Sequence, residues 1–342
     1  MNKARQAFSM LGILFLMSVL LLACGNTEEP AAGNAGAVNA GGNTAAGAAP
    51  STEGTDNGAE AEAESAARSY TDYKGHTVEI PVHPQRIVYS GETYGDLVAL
   101  GVKAAGYPLS MGEGQVFEEQ LQGVEDVGFP INLEKTLELQ PDLIIYAGTE
   151  ESDFEALSKI APTVIFNTFA PLEERMTEIG GILGKTEEAA AWLARYKADE
   201  AAMWEQLKAA GMKPGETASV FTYYPGDRLF IMAATGLSQV LYGENGFKAT
   251  PPVQKLLDEG TGFEEISLEV LEQYAGDRIF VLTPVADEAK QSTESMLQSE
   301  IWKSLPAVKN GYVYTQDIMK TSSDATTREW LLQELPRLMN AQ

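Results

Sequence analysis

The chain has little cysteine, little histidine and little positive charge. Its one cysteine, Cys24, has no partner for an internal disulfide, so the thiol needs another use. Its two histidines, His76 and His83, both precede the first expected strand of the folded body and read as loop residues. Direct capture of Zn2+ or Mn2+ normally draws on several histidines with carboxylates, so this chain is poorly equipped for it. No G-x-S-x-G elbow occurs, and neither histidine stands near a nucleophile motif. The acid pair Glu150-Glu151 reads as solvated rather than catalytic, and an extracellular hydrolase is disfavoured. Lysine and arginine total 24 against 49 acids, giving a formal charge of -25. Such a polyanion will not bind nucleic acid through phosphate neutralisation, and it stays soluble and off anionic surfaces. An anionic small ligand is not excluded, because a local Arg or Lys cluster can dominate a cleft.

The beginning of the chain is of another kind. Lys3 and Arg5 precede an apolar run from Phe8 to Leu22, too short and too near the start for a spanning helix. Leu21-Leu22-Ala23-Cys24 resembles the lipobox of bacterial lipoproteins. The resemblance implies that residues 1–23 are a signal peptide. Cys24 then becomes a lipidated N-terminus (diacylglycerol thioether, palmitate) on the extracytoplasmic face of the bacterial cell membrane. Residues 24–69 carry that cysteine and a run of Gly, Ala, Asn, Ser, Thr and Glu with almost no large apolar side chain. This segment cannot bury enough surface to order itself. As a flexible leash it reaches about 35–40 Å.

From Tyr70 onward the composition is that of a folded body, long enough for two lobes. Short Val- and Ile-rich runs recur at Arg86–Tyr89, Leu143–Tyr146, Thr163–Phe166, Ser219–Tyr223 and Arg278–Leu282. They fit buried parallel strands. Helical patterns at Gly95–Leu100, Leu133–Leu139 and Phe154–Lys159 alternate with them, which predicts an α/β architecture. Ile131-Asn132-Leu133-Glu134, followed by Pro141-Asp142-Leu143-Ile144, registers without a gap on Ile266-Ser267-Leu268-Glu269, followed by Gly276-Asp277-Arg278-Ile279. Each copy offers a helix cap, a first-turn acid and then a buried strand, and two related lobes explain the repetition. Between the copies, an uninterrupted pattern runs from Thr186, the expected cap, through Trp192, Leu193, Tyr196, Met203, Trp204 and Leu207 to Gly211. Its 24 or so helical residues span about 36 Å. The expected layout is a first lobe at 70–170, a region containing the long helix at 171–212, and a second lobe at 213–342.

An ordered series of motifs then points to a family. Asp72-Tyr73-Lys74-Gly75-His76-Thr77 leads into Pro84-Gln85-Arg86-Ile87-Val88, and Leu97-Val98-Ala99-Leu100-Gly101-Val102 follows. Leu139-Gln140-Pro141-Asp142-Leu143-Ile144-Ile145, Leu157-Ser158-Lys159-Ile160-Ala161-Pro162 and Ile301-Trp302-Lys303-Ser304-Leu305-Pro306 complete it. The series resembles the iron-siderophore group of substrate-binding proteins of ABC importers, a group that also includes the vitamin B12 binder. The resemblance covers about residues 71–340. It implies two Rossmann-like lobes joined by a single long α-helix, with a ligand cleft between them. It implies a monomer without enzymatic activity or intrinsic cofactor, carrying a ferric siderophore to an ABC importer permease. It also implies that one acid per lobe docks on that permease, here Glu134 and Glu269.

Ligands of open α/β sheets sit at the carboxyl ends of strands. That rule selects Ser90–Tyr94, Tyr107 with Leu109, Tyr146–Thr149, Asn167-Thr168, Tyr223-Tyr224 with Arg228, Thr283, and Asp317–Ser322. Tyrosine faces suit an amphipathic chelate, and a guanidinium donates to its oxygens. The expected ligand-binding residues are therefore Arg228, Tyr94, Tyr107, Tyr146, Tyr224 and Lys320. With only Arg228 and Lys320 as candidate cations, a low-charge chelate such as a hydroxamate is favoured. Rival readings are a haem binder, with Met232 or Met319 as axial ligand, a cobalamin binder of the same fold, and a surface lipoprotein without a transport role.

Overall fold

The computed structural model describes residues 66–340. The expected signal peptide, the lipidation site Cys24 and the tether as far as residue 65 lie outside the described residues.

The first described strand is β1 (Ala67–Thr71), which pairs antiparallel with β2 (Thr77–Pro81). This start falls inside the segment expected to be a tether through residue 69. Two side chains hold the strand in place. The Arg68 guanidinium donates to the Gly181 carbonyl, and the Tyr70 hydroxyl donates to Glu178 at 2.7 Å. The strand is thereby fastened to the first lobe.

That lobe is a five-stranded parallel sheet of β3 (Ile87–Ser90), β4 (Gly106–Tyr107), β5 (Glu125–Asp126), β6 (Leu143–Tyr146) and β7 (Thr163–Ile165), in the order β5-β4-β3-β6-β7. Every residue of β3 and β7 is buried, as expected for parallel strands covered on both faces. The lobe's helices include α1 (Gly95–Ala99), α2 (Leu133–Glu138), α3 (Glu151–Leu157) and α4 (Leu172–Ile182).

The long helix, α5, is Thr186–Ala209, 24 residues. Thr186 is its first helical residue rather than its cap, which is Lys185; Glu187 and Glu188 occupy the first turn, favourable at the positive end of the helix dipole. Gly211 follows at φ 110, a conformation that glycine reaches without steric cost. Ala189, Trp192, Tyr196, Met203, Trp204 and Leu207 form its buried face.

The second lobe contains β8 (Thr217–Tyr224), β9 (Arg228–Met232), β10 (Lys248–Ala249), β11 (Phe263–Ile266), β12 (Arg278–Thr283) and β13 (Val313–Asp317). Its main path runs β11-β9-β8-β12-β13, with β10 beside β8. The two sheets match position for position: the strand that follows each repeated motif, β6 or β12, lies beside the central strand β3 or β8. One feature departs from the expected parallel pattern. β9 is antiparallel to β8, and β11 to β9. Gly226 and Asp227 both take positive φ, 87 and 56, and turn the chain back on itself where the first lobe uses a crossover.

The final helix, α6 (Ala325–Asn340), packs on α5 and α1. One continuous apolar cluster takes in Leu97 and Met176 of the first lobe, Trp192 and Trp204 of α5, Phe280 of the second lobe and Leu331 of α6. The lobes are thus joined by one covalent crossing and by a shared core. Among the described residues no helix is long and apolar enough to cross a membrane.

Candidate ligand cleft

Among the described residues, two of the cavities are lined by residues of both lobes. The smaller, about 290 Å³, is walled by Glu92, Thr93, Thr168 and Phe169 on one side and by Tyr224, Met232, Thr235, Gln239 and Ser322 among others on the opposite side. The larger, about 580 Å³, lies between Ser110, Glu113 and Gly114 of the first lobe and Thr283, Val285, Lys290, Asp317 and Met319 of the second. A third hollow of about 640 Å³ is confined to the first lobe, between Thr71–Tyr73 and α4. Only the first two are bounded by both sheets at the ends of their strands, where α/β folds hold ligands.

The cleft is closed at its floor by polar contacts between the lobes. Arg175 of α4 is fully buried; its Nε donates to Asp96 Oδ2 at 2.6 Å, its Nη1 to the Ala170 carbonyl at 3.0 Å and its Nη2 to the Ser323 carbonyl at 2.6 Å. Asp96 Oδ1 accepts the backbone N–H of Ala325 at 2.8 Å, and Thr326 Oγ1 donates to the Gly95 carbonyl at 2.7 Å. Asp324 caps the start of α6, accepting from the backbone N–H of Thr327 at 2.9 Å and from its hydroxyl at 2.7 Å. Burial, and then the charge of Asp96, raise its carboxyl above the usual range. A Cβ at Gly95 would stand 1.7 Å from Asp324 Oδ1, so glycine is the residue that lets α6 approach α1. Lys320 Nζ of the second lobe also donates to the Gln115 carbonyl of the first at 3.4 Å.

The sequence-derived candidates divide clearly. Tyr224 lines the smaller cavity, exposed, with its ring edge-on to Phe230 at 5.2 Å. Lys320 bridges the lobes as described. Tyr94 and Tyr107 do not line either inter-lobe cavity; both are fully buried, with ring centroids 4.5 Å apart, and they pack with Phe117 in the first-lobe core. The Tyr94 hydroxyl accepts the Ala104 N–H at 3.2 Å, whereas that of Tyr107 has no partner. Tyr146 ends β6 with its hydroxyl donated to Asp153 at 2.8 Å; burial, then that bond, push its pKa up to about 12. Arg228 lies opposite Tyr224 in the β8–β9 register but turns outward. Its Nε donates to Glu265 at 2.9 Å, and its guanidinium covers the Phe230 ring at 4.9 Å. Neither Tyr146 nor Arg228 lines the cleft cavities. Met232 lines the smaller cavity and Met319 the larger, so the two sulfurs belong to different compartments.

The strand-end rule reaches Thr93, Thr168, Tyr224, Thr283, Asp317, Met319 and Ser322, all of which line a cavity. It misses Thr235 and Gln239, which follow the antiparallel β9. It also misses Glu113 and Lys290, which sit on a loop and a helix with no motif of their own.

The repeated motifs lie outside the cleft. Asn132 caps α2 by accepting the Lys135 N–H at 3.0 Å, and Glu134 sits exposed in the first turn. Ser267 opens the matching single turn Leu268–Val270, where Glu269 is exposed and its carboxyl is held below the usual range by the Ser267 hydroxyl.

Residues 87–317, both sheets and the helix between them, match the periplasmic binding protein family. The chain belongs to that family. A curated relative, the iron(3+)-hydroxamate-binding protein FhuD of Bacillus subtilis, is 33% identical over 247 residues, 70% of this chain and 76% of the relative. Among solved structures, Staphylococcus aureus SirA complexed with staphyloferrin B superposes with a TM-score of 0.69 at 28% identity, covering 80% of this chain and 98% of SirA. Staphylococcus aureus FhuD2 with bound ferrioxamine B gives 0.66 at 27% identity, covering 75% and 98%. Both are two-lobed siderophore binders of the same fold, and the relatives are binding proteins rather than enzymes.

Proposed function

We propose that this protein captures a ferric siderophore of the hydroxamate class in the inter-lobe cleft and hands it to an ABC importer permease. The observation that carries the reading is a cleft walled by both lobes at their strand ends, mixing aromatic and apolar surface (Phe169, Tyr224, Met232) with hydroxyl and amide groups (Thr93, Thr168, Gln239, Ser322). Such a wall suits a bulky chelate with an apolar backbone and a polar iron core. Among the described residues no arginine lines it, which disfavours carboxylate and catecholate complexes of high negative charge. The hydroxamate-binding relative points the same way.

Delivery and anchoring complete the proposal. Glu134 and Glu269 stand exposed at equivalent places on the two lobes, which suits a partner with two equivalent basic halves. Helix α2 buries only Thr136 while Leu133 and Leu137 are 43% and 58% exposed. A helix that turns its leucines outward is built to be covered by something else. Lipidation at Cys24 would hold the body near the permease and raise its effective concentration.

The test is tryptophan fluorescence of the purified protein titrated with ferric hydroxamates, ferric catecholates, haem and cobalamin. Saturable quenching by a ferric hydroxamate supports the reading. Saturation only by haem or cobalamin, or by nothing, contradicts it.

A further inference from the structure

Because β9 runs antiparallel to both β8 and β11, residues opposite one another share a face of the sheet. One face carries Tyr224 of β8, Phe230 and Met232 of β9, and Phe263 of β11. The Phe230 ring meets Tyr224 edge-on at 5.2 Å and Phe263 edge-on at 5.8 Å. Such edge-to-face pairs fix one another's orientation. The Arg228 guanidinium covers the Phe230 ring at 4.9 Å and is held there by its bond to Glu265. Phe230 and Met232 are buried, whereas Phe263 is 51% exposed. The result is a firm aromatic shelf with an open outer end.

The shelf is continuous with the smaller inter-lobe cavity. Tyr224 and Met232 line that cavity, and Phe263 stands directly across from Met232 in the β9–β11 register. The Gly262 carbonyl, next in the chain, accepts the N–H groups of Ala233 and Ala234 at 2.8 and 2.9 Å and the Thr235 hydroxyl at 3.3 Å. Ala234 and Thr235 line the same cavity. On the first lobe, Phe169 lines it too and is 76% exposed. Its backbone is pinned: the Phe169 N–H donates to Asn167 Oδ1 at 3.1 Å, and the next carbonyl, of Ala170, accepts from Arg175 at 3.0 Å. Exposed aromatic rings thus border the cavity from both lobes.

The cavity's size says what the shelf is for. At about 290 Å³ it stands at the low end of small-molecule sites, which run from roughly 300 to 1,000 Å³. A ferric tris-hydroxamate whose iron core fills it leaves organic chain outside. The larger inter-lobe cavity mixes Val285 and Met319 with the charged Glu113, Lys290 and Asp317, so the apolar way out is along the shelf. We infer that the shelf of Tyr224, Phe230 and Phe263 is a subsite for an apolar arm of the chelate. The protein then prefers ferric hydroxamates that carry an aliphatic or acyl chain beyond the iron core, and Phe263 determines that preference. The inference rests on the siderophore reading and deepens it. Its driving force is the removal of the arm and the Phe263 ring from water together. No charge takes part, so the preference persists at high salt.

The probes are ferrioxamine B N-acylated with acetyl, butyryl and hexanoyl chains, all of them uncharged. Each is titrated into the full-length protein in detergent, with tryptophan quenching as the readout. Free chelate is measured by equilibrium dialysis, so that partition into micelles does not enter. Affinity should rise about two- to fourfold for each added methylene that reaches the shelf, and at least about tenfold from acetyl to hexanoyl. Phe263→Ser, at a half-exposed position on the edge strand β11, should flatten the series. Its affinity for the acetyl form should stay within about twofold of the parent's, which also reports that the variant is folded. Phe263→Leu should restore part of the gradient. A flat series in the unaltered protein overturns the inference and leaves the siderophore reading standing, as does the same gradient in Phe263→Ser. That same gradient together with lost import would give the shelf to the permease instead. Failure of the whole series beside another ferric hydroxamate that binds also overturns the inference alone. Failure of every ferric hydroxamate to bind would overturn the siderophore reading itself, and the inference with it.

Discussion

At the scale of single residues, the arrangement with most at stake is Arg175 with Asp96. Both are fully buried, and between them they hold Ser323, Ala325 and the start of α6 against the first lobe. Removing one partner of a buried pair leaves an uncompensated charge, at a cost of about 3–5 kcal/mol. Arg175→Ala should therefore lower unfolding stability by that order, measured by denaturant titration. Gly95→Ala should be damaging for a different reason, since its methyl would occupy the place of the Asp324 carboxylate. His76 offers a milder, pH-dependent test. Its ring lies 3.9 Å from Phe154, with Nδ1 3.0 Å from Asp72 and Nε2 3.3 Å from Glu151. The bond to Asp72 raises its pKa above the ordinary 6.5. The protonated ring is thus favoured by folding. Its stabilisation is fully present below pH 6.5 and is lost as pH rises through the raised value. His76→Gln should flatten the decline of Tm over that interval; an unchanged pH profile would show that the ion pairs contribute nothing.

At the scale of elements, α5 is the part of the fold most legible in the sequence. A long run free of Gly and Pro, with Trp192, Tyr196, Met203, Trp204 and Leu207 at helical spacing, leaves little choice. Although only Asn132 caps its helix through its side chain, the repeat of Ile131–Glu134 and Ile266–Glu269 is equally readable, because a short polar residue, a first-turn acid and a following strand recur in matching sheet positions. The antiparallel β9 was not, because a run of buried apolar residues carries no direction; only the turn at Gly226 and Asp227 sets it. The cleft was half legible. Strand ends locate a region but not the side of the sheet a residue faces, and so Tyr94 and Tyr107 lie in the core. The Asp96–Arg175 pair joins positions 79 apart in sequence, and no local pattern announces it. For α5 itself, Trp204 is fully buried against Phe247 with ring centroids 5.6 Å apart. Trp204→Ala should cost about 3–5 kcal/mol. A proline at Ala198, mid-helix, should cost at least about 3 kcal/mol and loosen the coupling between lobes. In small-angle scattering that variant should show a larger radius of gyration than the parent.

At the scale of the whole molecule, one covalent strut, a continuous core and a polar floor resist large opening. Ligand binding should therefore change the radius of gyration by little, unlike a binding protein hinged on loose strands. On the proposed account the two lobes carry separable functions: the inner walls hold the chelate, and the exposed acids at the outer corners meet the permease. Glu134→Ala with Glu269→Ala should leave chelate affinity intact while abolishing import in a transport assay. Loss of affinity in the double variant would instead place those acids in the fold or the cleft.

The most direct measurement is the anomalous diffraction of iron from crystals of the protein grown with a ferric hydroxamate. The account predicts one strong iron peak between the lobes, in the space bounded by Glu92, Thr168, Tyr224, Gln239 and Ser322 or in the adjoining space beside Glu113 and Asp317. An iron peak on the outer face of a single lobe, such as the hollow beside Tyr73 and Glu174, would contradict it.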